Sequence, residues 1–552
     1  MRKYIALSLI PAAILGMSIP ASANSTEPIY LESLKATAKL SVLATSGNTY
    51  GGSWVVPGIP DGMGAYIQGG KLQILMNHEI SQAAAPSVSR AAGDALGGST
   101  ITRFTVDPVT GKVLEAKEHL NDVIWYDYAA GLHASAPTAP AFARSSTFEH
   151  TRAFNRFCSA GLAAAGVLSY KSGKTTIGYS GNVFLTGEEA GDESRAFAAN
   201  EAGQIVQLPR LGLASWESFQ VANTKTATTV VIGGEDGNDI TSQLWMYVGT
   251  KNNKGLWFEK AGLNNGKNYV LGINGIKTDT AFRASYSKNV SVPVSFNEVN
   301  WKSNGVIQNE FAQTWGVGFS RVEDGAFDPK NPNVYYFVTT QSNKDPKATA
   351  PNPATPTVSR DGGALWKLTF KDVKKPLAGA SLTMLLDGSE APYLSKPDNI
   401  EVDDLGNVLI QEDPGGNALR ARLVAYNTKT AQLASVLQFK QQYFEKGQAA
   451  FMTEDEESSG VTDVTKFFKK SASDNSRYYI LNAQIHATPA ISRPDIANAA
   501  TSLASIIEGG QLYVLEVSDW AAIYNESKRK CPSRKGGAFS LLSLSHPGES
   551  NS

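Results

Sequence analysis

Apolar positions in this chain come in short runs punctuated by Gly, Pro, Asn and Asp. One kind of apolar run, usually behind Gly or Gln, carries aromatic residues in most of its copies. It recurs as ITRFTVDP from residue 101, GQIVQLPR from 203, SQLWMYVG from 242, GALWKLTF from 363, ARLVAYNT from 421 and GQLYVLEV from 510. A two-residue period places successive side chains on opposite faces of a strand. Similar strands at irregular spacings, with long insertions between them, predict an all-β chain. The expected fold is a six-bladed β-propeller with long loops and short helical insertions. The run DNIEVDDLGNVLI at 398–410 reads as two strands about a tight Gly-Asn turn, as within one blade. KLQILMNHEI at 71–80 is a further strand behind Gly69-Gly70, and Pro60-Asp61-Gly62 supplies turn chemistry before it. Helix is expected at 154–167, 445–451, 495–507 and 519–527, with a weakly helical stretch at 33–43. Residues 129–151, rich in Ala, Ser and Pro, read as a surface excursion.

Several apolar strands end in acid. KLQILMNHE closes on Glu79, NVFLTGEE on Glu188 and Glu189, TVVIGGED on Glu235 and Asp236, and NVLIQED on Glu412 and Asp413. TEDEE adds Glu456 and Glu457 behind a weaker strand. In a propeller, equivalent strand ends converge on one mouth of the central channel, where unscreened carboxylates would repel one another. Oxygen ligands with few histidines suit a hard cation such as calcium. Of the 6 histidines, His78 stands beside Glu79 and is the first candidate for the site; His486, at the end of LNAQIHA, is the second. In FSRVEDGAFDP, Arg321 precedes Glu323 at a turn, and its planar fork suits a phosphate or carboxylate. The competing reading of each acidic turn is a solvated strand edge, and of Arg321 an ion pair holding its turn.

Composition narrows the function. The 552 residues are 42% hydrophobic and 18% charged with a net charge of -1, so no global field favours nucleic acid or an anionic membrane. Arg2 and Lys3, an apolar stretch to Pro20 and Ala21-Ser22-Ala23 read as a signal peptide over 1–23. Residues 24–552 then form one domain, with its core at 50–515 and a tail at 527–552, in an exported protein, periplasmic or extracellular. No run is long enough to span a membrane as a helix. With 2 cysteines, Cys158 and Cys531, one disulfide or two separate thiols remain open. Walker, HExxH, dinucleotide and GxSxG motifs are absent.

The segments PDGMGAY, LMNHE, FLTGEE, RVEDGAFDP and KPDNIEVDDLGNVLIQED occur in that order. Together they resemble the PhoX-type alkaline phosphatases over residues 50–515. The resemblance implies an exported propeller that hydrolyses phosphate esters using calcium and a pair of ferric ions, with a small phosphorylated substrate. It implies metal-ligand roles for Glu188, Glu189 and Glu323 and a phosphate-holding role for Arg321. Glu235, Glu412, Glu456 and Glu457 fall in the family's acidic segments. The pattern departs from the family at three points. The Cys expected just before the acid pair, an iron ligand, is Gly187; the Pro of the RPED-like motif is Val322; and a twin-arginine signal is missing. The resemblance therefore implies calcium more firmly than iron. Two other readings stand beside a calcium-dependent phosphatase: a non-catalytic calcium-binding propeller acting as an interaction module, and a calcium-dependent esterase or lactonase.

Overall fold

A computed structural model describes residues 27–82, 98–141, 150–340, 351–352, 355–359, 361–416, 419–468, 471, 473–495 and 506–525. The expected signal peptide, the C-terminal tail, Cys531 and most of the 495–507 helix lie outside these residues. Strands dominate, in antiparallel units that each begin with a short strand at the centre and work outward. The first unit runs Pro60–Gln68, Lys71–His78, Thr100–Val106, Val113–Glu118. The second runs Phe157–Ala163, Val183–Glu188, Ala196–Asn200, Gln204–Gln207, with Asp122–Asp127 added in parallel at its edge. The third is Trp216–Val221, Thr228–Glu235, Leu244–Thr250, Lys267–Gly272, and the fourth Val322–Phe327, Val334–Thr339, Ala364–Phe370, Ala380–Leu386. Strand Ser291–Val299 pairs with both of these and fuses them into a 9-stranded sheet. The fifth is Pro397–Val402, Asn407–Glu412, Arg422–Asn427, Leu433–Phe439. The sixth joins Glu456–Glu457 and Val461–Asp463 to Arg477–Ile485, Gly509–Val517 and, from the other end of the chain, Ala38–Thr45.

Each innermost strand packs against the innermost strand of the next unit, and the sixth returns to the first. The arrangement is propeller-like. Both faces of each unit's second strand are therefore buried against neighbours, which is why these strands read as almost continuous apolar runs. Six of the hydrophobic clusters lie between adjacent units. Met76 and Phe104 meet Tyr478 and Val514 between the first and sixth, for example, and Trp216 meets Leu185 between the third and second. A buried side chain of this size contributes about 1.5–3 kcal/mol, so the seams hold the ring together. The recurring apolar strands fall one to a unit: five, each with an aromatic residue, are third strands, and GQIVQ, which has none, is the fourth strand of the second unit.

Three helix expectations fail. Residues 157–163 within the 154–167 segment form the second unit's innermost strand, and Ala38–Thr45 replaces the helix expected at 33–43. In both, pairing to distant strands outweighs a weak helical tendency. Near 445–451 the helical turn lies earlier, at Gln441–Phe444, whereas Trp520–Asn525 is helical as expected.

Candidate metal centre

The second residue of each innermost strand bears an acid or a thiol: Asp61, Cys158, Glu217, Glu323, Asp398 and Glu457. The backbone explains why they face inward. Each strand's first residue pairs with the last residue of the second strand: Pro60 with His78, Phe157 with Glu188, Trp216 with Glu235, Val322 with Thr339, Pro397 with Glu412 and Glu456 with Ile485. In five of the units the register then slips. Such a bulge unpairs a residue and re-aims its side chain. Gly62, directly behind Asp61, is required by close approach, because a Cβ there would lie 2.2 Å from the backbone N of Ala160.

Three triads of potential ligand atoms, each within 4.8 Å, result: Asp61–Glu79–Cys158, Cys158–Glu189–Glu217 and Glu217–Glu323–Asp398. Cys158 and Glu217 are shared between triads, so the three positions adjoin. The thiol of Cys158 donates to Glu217 Oε2 at 2.9 Å and lies 3.4 Å from Asp61 Oδ2. Burial, reinforced by neighbouring acids, raises Asp61, Glu217, Glu323 and Asp398 well above the usual carboxylate range. Buried oxygens Asp61 Oδ1 and Glu217 Oε1 have no hydrogen-bond partner among the described residues. A bound cation would satisfy both.

A second tier comes from the residues just past the second strands: Glu79, Glu189, Asp236, Thr340, Asp413 and His486. Positive charge faces them. Arg156, Arg321 and Lys396 each stand two residues before a ring residue, at left-handed φ of 47°, 63° and 44°. Their carbonyls accept from the N–H groups of Glu189, Thr340 and Asp413 at 2.9, 3.0 and 3.0 Å. That conformation costs a non-glycine residue about 1 kcal/mol or more and is retained mainly at functional sites. Arg156 bridges Glu79 and Glu189, the latter at 2.7 Å. Arg321 grips Asp236 with Nε and Nη2 at 2.8 and 2.5 Å and approaches Glu323 at 3.5 Å. Burial opposes charge on His486, yet Glu457 and Glu508 outweigh it and lift its pKa to about 11.

The family model for alkaline phosphatase PhoX matches residues 198–469. Over that span, just under half of the chain, the sequence is similar to the PhoX family. Among solved structures, the chain is similar to Pseudomonas fluorescens PhoX in complex with vanadate, a transition state analogue. Identity is 12% and the TM-score 0.56, covering 89% of this chain and 96% of that one. A luciferin-regenerating enzyme, at 9% identity and TM-score 0.30 over 87% of this chain and 95% of that one, carries no argument. No curated protein matches in sequence.

Within this PhoX-like frame the sequence-derived residues divide by side. Glu79, Glu189, Glu323, Glu457, Arg321 and His486 gather at the mouth. Others turn into their own units. His78 is fully buried, with Nδ1 at Gly58 O (2.9 Å) and Nε2 at Thr102 Oγ1 (2.7 Å). Burial lowers its pKa to about 4, so it has no free edge for a substrate. Glu188 is paired by both oxygens to fully buried Arg195 at 2.6 and 2.7 Å. Glu412 is held likewise by Arg422 at 2.6 and 2.8 Å. Glu235 accepts from Trp245 Nε1 at 2.8 Å and from the N–H of Gln243 at 3.0 Å. Glu456 accepts from the N–H of Ala421 at 3.0 Å. These acids tie the second strand to the third, or the sixth unit to the fifth. In the third and fifth units it is the next residue, Asp236 or Asp413, that reaches the mouth.

Gly187 is not a vacated ligand position. A Cβ there would sit 2.3 Å from Trp216 Cβ, so the residue is glycine for packing. The thiol of the site comes instead from Cys158, a buried cysteine. Asp61, Cys158, Glu217 and Asp398 were not singled out from the sequence. A signal existed: PDG, FCS, WES, VED, PDN and EES each place the ring residue between its strand's first residue and a small or polar one.

Proposed function

We propose that this chain is an exported metal-dependent phosphatase hydrolysing small phosphate esters at the mouth of a six-bladed propeller. The observation that carries the reading is the ring of five carboxylates and one thiol beneath three left-handed cationic residues. A ring of buried acids alone repels anions, and a set of cations alone would hold an anion without activating it; together they fit metals below and a phosphoryl group above. The closed succession of innermost strands supports six blades, and the PhoX match supports phosphoryl chemistry.

The donor set fits calcium at the all-oxygen triad Glu217–Glu323–Asp398, while the two triads containing Cys158 suit a more thiophilic ion such as iron. When bound, such ions would neutralise the ring and provide Lewis acidity for the phosphoryl oxygens and the attacking water. The chain's own residues do the rest. Arg321 is fixed by Asp236 with its remaining N–H groups free to take phosphoryl oxygens, so charge developing on them meets a preoriented donor. Arg156, Lys396 and protonated His486 keep the mouth attractive to an anion. The ester bond to phosphorus breaks, water supplies the new P–O bond, and the alcohol leaves. Because Cys158 provides the thiol, the Gly187 substitution no longer favours a purely non-catalytic calcium propeller.

The test is hydrolysis of phenyl phosphate by purified protein, with metal content measured on the same sample. Turnover that is lost on chelation and restored by calcium with iron is expected. A metal-loaded protein with no turnover would leave the binding-module reading in its place.

A further inference from the structure

Beside the ring a cavity of about 540 Å³ opens between three loops. Its inner wall is Glu189, Asp236 and Arg321, all at the mouth; its outer wall includes Asp192, Asn238, Thr241 and Gln313. The volume falls within the range of about 300–1,000 Å³ typical of small-molecule sites. The cavity is continuous with the reactive end, since the Arg321 guanidinium borders both. Anything esterified to a phosphoryl group on Arg321 must project somewhere, and this is a space of sufficient size alongside that residue.

The wall chemistry selects what can occupy it. Among the described residues no aromatic ring lines the cavity, so its wall offers a nucleobase or aryl group no face to stack on. Asp192 and Asp236 in its wall disfavour a second anionic group. Besides Arg321 and the carboxylates, which include Glu235, the polar side chains of the wall are the carboxamides of Asn238 and Gln313 and the hydroxyls of Ser215 and Thr241. Thr241 is anchored through its Oγ1 to Asn238 O at 3.1 Å, which fixes the 238–241 turn. Gln313 is delivered by the helix Gly305–Trp315, whose start is tied by the Gly305 N–H to Glu193 at 2.9 Å and capped by Asn304. A carboxamide both donates and accepts, as a hydroxyl does. We infer that this cavity receives the alcohol half of the substrate and that the alcohol is a neutral polyol, a sugar or glycerol unit, recognised by Asn238 and Gln313.

The inference rests on the phosphatase reading, and the experiment separates the two. Compare kcat/KM for glycerol 1-phosphate and phenyl phosphate in metal-loaded wild type and in the double variant Asn238→Leu with Gln313→Leu. Losing two neutral hydrogen bonds of ordinary strength should lower the glycerol-to-phenyl ratio about tenfold. An unchanged ratio, with both esters turned over, would overturn the polyol pocket and leave the phosphatase intact. No turnover of either ester by the wild type would overturn both. Both positions are on the surface of loop and helix, so folding is preserved, and equal melting temperatures of variant and wild type check that.

Discussion

Glu188 and Glu189 are adjacent, identical in chemistry and opposite in consequence. Glu188 is locked to buried Arg195, whereas Glu189 meets Arg156 and the Cys158–Glu217 triad. Removing one partner of a buried ion pair leaves an uncompensated charge and costs about 3–5 kcal/mol. Glu188→Gln is therefore expected to lower the melting temperature while bound metal per chain stays at the wild-type value. Glu189→Gln should lower metal content with a smaller effect on the metal-free fold. Calorimetry and elemental analysis on both variants decide it, and an identical outcome for the two would defeat the distinction. Cys158→Ser supplies a companion test: calcium should be retained, and the thiophilic ion lost together with activity.

At the scale of the element, the repeated device is a short innermost strand entered through a left-handed residue and bulged at its second position. Left-handed Lys396 donates its N–H to Asp361 O at 2.6 Å and accepts from the N–H of Asp413 at 3.0 Å. Replacing such a residue with glycine relieves about 0.5–1 kcal/mol, partly offset by the added freedom of the unfolded chain. Lys396→Gly is expected to hold or slightly raise the melting temperature while weakening inhibition by inorganic phosphate. A stability loss with unchanged phosphate inhibition would show that the residue braces the strand instead. The same device explains how much of the site was legible. Strand ends rich in acid were visible because apolar runs and carboxylates contrast sharply. The side each acid faces was not, because a single-residue shift reverses the face of a strand. Thus Glu235 and Glu412 stood out together with Asp236 and Asp413, and only the pairing register separates them. Asp61 reads as a turn residue, since PDG is also ordinary turn chemistry, and Asp398 reads only as the start of a strand.

Across the whole molecule, the ring concentrates buried acid, and this links stability to pH and to metal. Burial first, offset by their cationic neighbours, leaves Glu79 at about 8 and Asp236 and Asp413 at about 7. These values lie above those of the unfolded chain, so the folded state binds more protons. The contribution of these groups is complete below the unfolded values near 4 and is lost as pH rises through about 7–8. Thermal melts in chelator should accordingly fall between about pH 5 and pH 8. Saturating calcium should flatten the curve, since a ligand at about 1,000 times its Kd adds about 4 kcal/mol. A chelated protein whose stability rises over that range would contradict the buried ring.

The sequence by itself determined the strand-rich architecture, the apolar strand that recurs once in each unit and the acid-rich strand ends. These are local properties, carried by two-residue periodicity and by the contrast between apolar runs and charge. Which acids share a site was decided only by the tertiary structure. Asp61, Cys158, Glu217, Glu323, Asp398 and Glu457 are spread over most of the chain and meet because innermost strands close on one another around an axis. Cys158 makes the point most plainly. Its own segment suggests a helix, and only pairing to a distant strand turns its thiol into the ring.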